Sequence, residues 1–188
     1  MIESKYATFG PRFLAGIIDG IIFSPVQWVM TFAYDHSAPV LLKVVVYTVS
    51  DCSFLAYSIW MHGRYGQTLG KMACKVIVLD VSEHPLSMRQ AVLRDILSVV
   101  LLPIGLVMAI PRILRGGDVN APINMTTIDW IIAYSMYAWF IIEIVTMLTN
   151  NKRRALHDFI AGSVVIDKDA CLEPPPVGEV NSTSRAES

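Results

Sequence analysis

Three charged residues stand inside apolar sequence or at its borders. Arg12 opens the first long apolar stretch, Asp19 lies inside it, and Asp158 belongs to RRALHDFIAGSVVI near the end of the chain. A charge within a segment of hydrocarbon length is unfavourable without a partner and marks a functional site by default. Carboxylates in that setting can exchange protons or bind cations, and a guanidinium can pair with them.

Two further acids lie in apolar sequence, Asp51 in the second stretch and Glu143 in the fourth. At 1.5 Å per residue, Asp19 and Glu143 lie ~10 and ~8 Å inside their helices, and Asp51 lies ~16 Å inside. These depths predict that acids from three helices line one cavity open to the cytoplasm. The alternative is that each acid accepts hydrogen bonds from Ser, Thr or Tyr and only fixes helix packing.

The partner of Arg12 is predicted to come from the end of the chain. Arg12 and Asp19 are about 10.5 Å apart along a helix, which is too far for contact. A short amphipathic helix in RRALHDFIAG would turn Asp158 towards the bundle, at the level of Arg12, where the two side chains can pair. Asp19 is then left without an obvious partner, so it is our main candidate for chemistry.

The composition indicates which elements position these charges. The chain has 188 residues, of which 54% are hydrophobic and only 16% charged, and its mean hydropathy is +0.50. A soluble domain carries roughly 25% charged residues. We therefore predict an all-α integral membrane protein, a four-span helical bundle with interfacial amphipathic helices. The predicted spans are Phe13–Ala33, Val40–Met61, Ile96–Leu114 (which contains Pro103 and Pro111) and Trp130–Leu148.

The distribution of Lys and Arg predicts the orientation. These residues concentrate before the first span, between the second and third, and after the fourth, whereas the loop at 35–39 has none. The positive-inside rule then places both termini in the cytoplasm, with a bacterial inner membrane as the expected location.

A net charge of −1 provides no basic face for nucleic acid. Three cysteines without metal spacing, and the absence of GxSxG, HExxH, Walker or GxGxxG motifs, predict no enzyme, cofactor or metal site.

Short elements are predicted between and after the spans. In GQTLGKMACK, Leu69, Met72, Ala73 and Val76 share one helical face, which predicts a helix in the headgroup layer. VIVLD then reads as extended, and Ser87, with Gln90 three residues on, has the pattern of a capping box. The Pro-, Ser- and Glu-rich tail predicts disorder. The chain thus divides into a transmembrane domain at 6–167 and a disordered cytoplasmic tail at 168–188.

Taken together, RFLAGIIDG, GQTLGKMACKVIVLD with PLSMRQAVLRD, and RRALHDFIAGSVVI resemble the RDD family of membrane proteins, which is named for one Arg and two Asp. The resemblance covers about residues 6–167. It implies that the named residues are Arg12, Asp19 and Asp158, and that the middle motif comprises Gly66, Gln67, Gly70 and Lys71. Transport is the activity usually suggested for the family. Some members look like sodium/proton antiporters, and others look like partners of larger membrane complexes.

The expected function is that of a small multi-pass membrane protein. It would transport monovalent cations in exchange for protons, with Asp19 as the main carboxylate and Asp51 or Glu143 assisting. Its partners would be the lipid bilayer, the cation, the proton and further copies of itself, since four short spans leave limited room for an enclosed pathway. The alternative is a non-transporting scaffold or assembly partner of a larger complex, in which the same charges serve architecture.

Overall fold

The computed structural model describes residues 4–33, 38–116 and 126–172. A 3-10 turn at Ser4–Tyr6 comes first. The remaining elements, in chain order, are α1 (Phe9–Ala33), α2 (Val40–Tyr65), α3 (Leu69–Ala73), β1 (Val76–Asp80), α4 (Met88–Arg94), α5 (Ile96–Leu114), α6 (Thr127–Thr149), α7 (Leu156–Ala161), β2 (Ser163–Asp167) and α8 (Lys168–Leu172).

Helices α1, α2, α5 and α6 are long and apolar enough to cross a membrane, which confirms the four predicted spans. Their outward side chains are mostly large, apolar and exposed, as expected for a surface that lipid covers. α5 contains Pro103 and Pro111 and is still a single helix. Spanning helices tolerate prolines because neighbouring groups satisfy the carbonyls that proline leaves free.

The short elements form a small unit at one end of the bundle, which we call the cap: α3, β1, α4, α7 and β2. Because the number of spans is even, the segments before α1 and after α6 both lie at this end. We call it the cap face, and the opposite end the far face. The cap packs its own core around Val76, Val78 and Val165, which are fully buried.

The cap contains the two-stranded sheet of the described chain. β1 and β2 pair antiparallel, with Val76 opposite Asp167 and Asp80 opposite Ser163. The segment of β1 was predicted to be extended, but its pairing with β2 was not. Val76 was also wrongly placed on a helical face, because α3 ends at Ala73 and Lys75 takes a left-handed conformation (φ 57°) that turns the chain into β1.

Local signals fix the ends of several helices. Ser87 and Gln90 form the predicted capping box at the start of α4. α2 ends at Tyr65 and is capped by Gly66, whose φ of 66° suits glycine. A Cβ there would also lie 2.7 Å from the carbonyl oxygen of Val78, so Gly66 allows β1 to pass close to the end of α2.

Two stretches that carried predictions lie outside the described residues. They are 34–37 in the first loop and the tail from 173. The predicted disorder of the tail therefore stays a prediction for 173–188. The first five residues assigned to the tail, Lys168–Leu172, form α8.

Candidate functional site: a buried charge cluster and two cavities

Asp158 is the centre of a buried group of charges where the cap meets the bundle. Its side chain is fully buried. One carboxylate oxygen accepts a hydrogen bond from Arg12 at 2.7 Å, and the other accepts from Arg94. The predicted pair between Arg12 and Asp158 is therefore confirmed, and Arg94 adds a second guanidinium on the other side of the carboxylate.

Backbone and hydroxyl donors complete the surroundings of Asp158. The amide of Ala155 donates at 2.9 Å and the hydroxyl of Ser163 at 3.1 Å, so the carboxylate also caps the start of α7. Burial by itself would raise the pKa of Asp158, but Arg12 and Arg94 outweigh burial and hold the pKa well below its usual range. Asp158 is therefore a charged structural centre and not a proton carrier at neutral pH.

Arg94 was missed in the sequence because it falls in a segment that was read only for its positive charge. The last residue of α4, it also donates to the hydroxyl of Ser163 at 2.6 Å. Its position in the sequence could have identified Arg94 as a charge that needs a partner. Arg94 stands just before an apolar span, as Arg12 does, and a guanidinium at that depth needs an acid within reach.

His157 links this cluster to Glu143 of α6. The guanidinium of Arg94 lies 2.9 Å from His157 Nε2. A guanidinium only donates, so Nε2 must accept and the ring proton must sit on Nδ1. Nδ1 then donates to Glu143, which also accepts from the indole of Trp139 at 2.7 Å. Burial lowers the pKa of His157 more than Asp158 raises it, which fits the neutral ring.

Asp19 is fully engaged, so the prediction that it lacks a partner is wrong. It accepts from the hydroxyl of Tyr57 at 3.0 Å, the hydroxyl of Thr68 at 2.6 Å and the amide of Gly70 at 2.8 Å. Two of these donors come from the segment that forms α3, which packs on α1. Asp19 thus fixes the cap to the bundle, a role that the sequence alternatives included.

The middle motif is the other side of that contact. A Cβ on Gly70 would lie 2.1 Å from the carbonyl oxygen of Ala15, so only glycine allows α3 to lie this close to α1. Gln67 donates to the carbonyl of Val76 at 2.7 Å and accepts from Lys168 at 2.8 Å. These residues hold the cap in place, whereas Lys71 reaches into the cluster.

Lys71 is a cation in an unfavourable environment. Its ammonium contacts Nε2 of His62. Burial, and then the charges of Arg94 and Arg12, lower the pKa of Lys71 to about 7. At neutral pH this side chain therefore exists in both charged and neutral forms.

This lowered pKa predicts a pH dependence of stability. Between pH 7 and 10.5 the unfolded chain holds the Lys71 proton and the folded chain does not. The unfolded state thus binds more protons, and the free energy of unfolding should rise with pH, by up to ~1.4 kcal/mol per unit. Lys71→Met keeps much of the stem and removes this rise. Denaturant titrations in detergent micelles at pH 7.5 and 9.5 measure it.

Lys75→Met is the matched control for Lys71→Met, since Lys75 is exposed and pairs with Asp169 at the cap surface. It should keep the wild-type rise. A Lys71→Met protein that gains stability with pH as steeply as the wild type would contradict the assignment.

Two cavities lie within the bundle, and one of them borders this cluster. The cap-side cavity, about 580 Å³, lies against the cluster and is lined by Asp19, Glu143 and Lys71 among others. The far cavity, about 390 Å³, is lined by Asp51 and by Arg112, whose guanidinium binds Asp129 at 2.7 Å.

The three acids Asp19, Asp51 and Glu143 therefore do not line one common cavity, and that prediction is wrong because Asp51 lines the other one. Depth along a helix says nothing about the direction of a side chain. Asp51 faces α5 and α6 near the far face, whereas Asp19 and Glu143 face the cap-side cavity.

The two cavities share three lining residues, Phe54, Ser58 and Asp95, which we call the junction. Ser58 donates to the carboxylate of Asp95 at 2.9 Å across this junction. Asp95 was another residue missed in the sequence, because it directly precedes α5 and reads as part of a loop. Among the described residues, no group of three or more His, Cys, Asp or Glu side chains could hold a metal ion.

Comparison with known proteins supplies a family. The family model described as RDD family matches residues 6–162 of the chain. The match contains all the charged residues of the cluster and both cavities, and it ends at Gly162, the left-handed residue that terminates α7. No curated protein and no solved structure matches the chain.

Proposed function

The chain belongs to the RDD family, as a small multi-pass membrane protein, and from its two cavities we propose that it exchanges monovalent cations for protons. The observation that carries this proposal is that the two cavities share Phe54, Ser58 and Asp95 in their walls. Adjoining cavities with carboxylates in their walls offer the route that a transporter needs, whereas a scaffold needs none.

The lining of the cavities suits cations and protons. Carboxylates are found at both levels, with Glu143 in the cap-side cavity, Asp51 in the far cavity and Asp95 at the junction. Intramembrane carboxylates mark proton relays and ion pathways. Since Asp19 already accepts from three donors, we propose that Asp51 and Asp95 serve the exchange more directly, and the assignment of Asp19 as main carboxylate stays a prediction.

Proteoliposomes test the exchange. An inward sodium gradient should change the internal pH of vesicles that contain the wild-type protein, and Asp51→Asn should slow that change by roughly tenfold or more. Asn keeps the size of the side chain and removes its charge, so the loss would report the carboxylate. Asp169→Asn, at the cap surface and outside both cavities, is the control and should leave the rate unchanged.

The outcome also separates the two candidate functions. Vesicles in which the wild-type protein moves neither sodium nor protons would overturn the exchange and favour the scaffold, for which a stoichiometric partner should then co-purify. If the exchange rate is unchanged in both Asp51→Asn and Asp19→Asn, neither Asp51 of the far cavity nor Asp19 takes part in the exchange.

The proposal also covers the oligomeric state of the protein, its orientation in the membrane and the membrane in which it lies. No residue of α6 is buried in the single chain, which leaves this helix free to pack against a second copy, although lipid would also satisfy it. The Lys and Arg distribution supports a cytoplasmic cap face, and a bacterial inner membrane is the location that we propose with it.

A further inference from the structure

The junction between the cavities contains a hydrogen-bonded chain that begins at Lys71. His62 Nδ1 lies 2.8 Å from the carbonyl oxygen of Ser58. A carbonyl only accepts, so Nδ1 carries the ring proton and Nε2 is left with its lone pair. The ammonium of Lys71 donates to that lone pair. The tautomer of His62 is therefore set by its own helix.

The chain continues from His62 to Asp95 through one hydroxyl. Ser58 Oγ lies 3.3 Å from His62 Nδ1 and donates to Asp95 Oδ2 at 2.9 Å. Lys71 and His62 line only the cap-side cavity, whereas Ser58 and Asp95 line both. The four side chains thus join a group that faces one cavity to a carboxylate that faces the other.

We propose that Lys71, His62, Ser58 and Asp95 form a proton relay between the two cavities, with Asp95 as the carboxylate that exchanges the proton with the far side. This inference rests on the proposed exchange function and names the route of one of its two ions. It also explains why a buried lysine lies against a histidine inside a cluster that already holds two arginines.

The transfer balances as three proton hops. The ammonium of Lys71 gives a proton to His62 Nε2, Nδ1 gives its proton to Ser58 Oγ, and the hydroxyl proton of Ser58 passes to Asp95. Lys71 and Asp95 end neutral, and His62 ends as the other neutral tautomer. The relay is reset when Asp95 releases its proton to the far cavity, Lys71 takes one from the cap-side cavity, and the ring loses its Nε2 proton and gains one at Nδ1, where the carbonyl of Ser58 accepts it.

Charges on every surrounding element tune the donor. Burial and the positive charges of α1 and α4 bring the pKa of Lys71 to about 7, where a group gives and takes protons readily at neutral pH. The charged and titratable groups that face its ammonium are Arg12 of α1, His62 of α2, Arg94 of α4, Asp95 before α5, and Asp158 of α7.

Ser58→Ala is the sharpest test, because it removes one hydroxyl from the middle of the relay. With the purified full-length protein in vesicles, sodium-driven proton movement should fall by roughly tenfold or more. Ser58→Thr keeps the hydroxyl and should restore much of the rate. If sodium chloride stabilises the wild type against heat, it should stabilise Ser58→Ala as much, since the relay carries only protons.

Ser53→Ala is the matched control. Ser53 lies on the same helix, its hydroxyl bonds the carbonyl of Ser50 at 2.9 Å, and it lines neither cavity. His62→Gln and Lys71→Met should reproduce the loss seen in Ser58→Ala. If the wild-type protein exchanges the ions and Ser58→Ala and His62→Gln do so at the same rate, the relay is overturned but the exchange function is not. A wild-type protein that moves neither ion would overturn the relay together with the exchange function.

Discussion

Asp158→Ala is expected to lower the free energy of unfolding by about 3–5 kcal/mol, because it strands two buried guanidinium groups. The side chains of Arg12 and Arg94 are only 8% and 3% exposed, so water cannot replace the lost carboxylate. The substitution also removes the acceptor that caps α7. Denaturant titration in detergent micelles measures the change.

The control for this prediction is an exposed carboxylate–cation pair beside the cap, Asp169 with Lys75. Its side chains are 60% and 65% exposed, and such pairs contribute about 0–1 kcal/mol. Asp169→Ala should thus be nearly neutral. An Asp158→Ala protein that loses no more stability than Asp169→Ala would show that the guanidinium groups find other partners.

A double-mutant cycle separates the pair from its surroundings. Arg12→Ala and Asp158→Ala share one contact, so their combined cost should be clearly less than the sum of the single costs. Strict additivity would mean that the two side chains do not act on each other in the folded protein.

Gly70→Ala is the second substitution with a large expected effect, although it adds only one methyl group. That carbon would lie 2.1 Å from the backbone oxygen of Ala15 and 2.9 Å from the carboxyl carbon of Asp19. Backbone cannot yield as a side chain does, so α3 must move away from α1 and the amide of Gly70 loses its bond to Asp19. Overpacking of this kind costs about 1–3 kcal/mol, and occasionally more.

Gly20→Ala is the matched control, since a Cβ there meets nothing within 4 Å. Within a helix, alanine is favoured over glycine by about 1 kcal/mol, so this variant should be as stable as the wild type or more so. The same titrations compare the two. Equal stability of Gly70→Ala and Gly20→Ala would show that α3 does not need its close approach to α1.

Much of the architecture could be predicted because its signals are local. Four apolar stretches predicted four spans, since a bilayer demands about 20 apolar residues of each. Ser87 and Gln90 predicted a helix start because a capping box is complete within four residues. The Arg12–Asp158 pair was predictable because both residues border apolar segments at the same face.

The partners of the other buried groups could not be predicted, because they depend on how distant segments pack. Asp19 appeared unpaired until Thr68 and Gly70, 49 and 51 residues further along, packed against it. Arg94 looked like a loop cation until α4 placed it against Asp158. Asp51 had a predictable depth, but the direction of its side chain follows from the packing of α2 on α5.

The sequence by itself determined that the chain spans a membrane four times and that Arg12 and Asp158 meet, because length, apolarity and unpaired charge are properties of short segments. Only the tertiary structure decided that Asp19 has hydrogen-bond donors around it and that the acids divide between two cavities. It also decided which side chains connect the two cavities, namely Lys71, His62, Ser58 and Asp95. The physical reason is that a hydrogen bond requires contact within about 3 Å, and contact between remote residues is fixed by packing rather than by order along the chain.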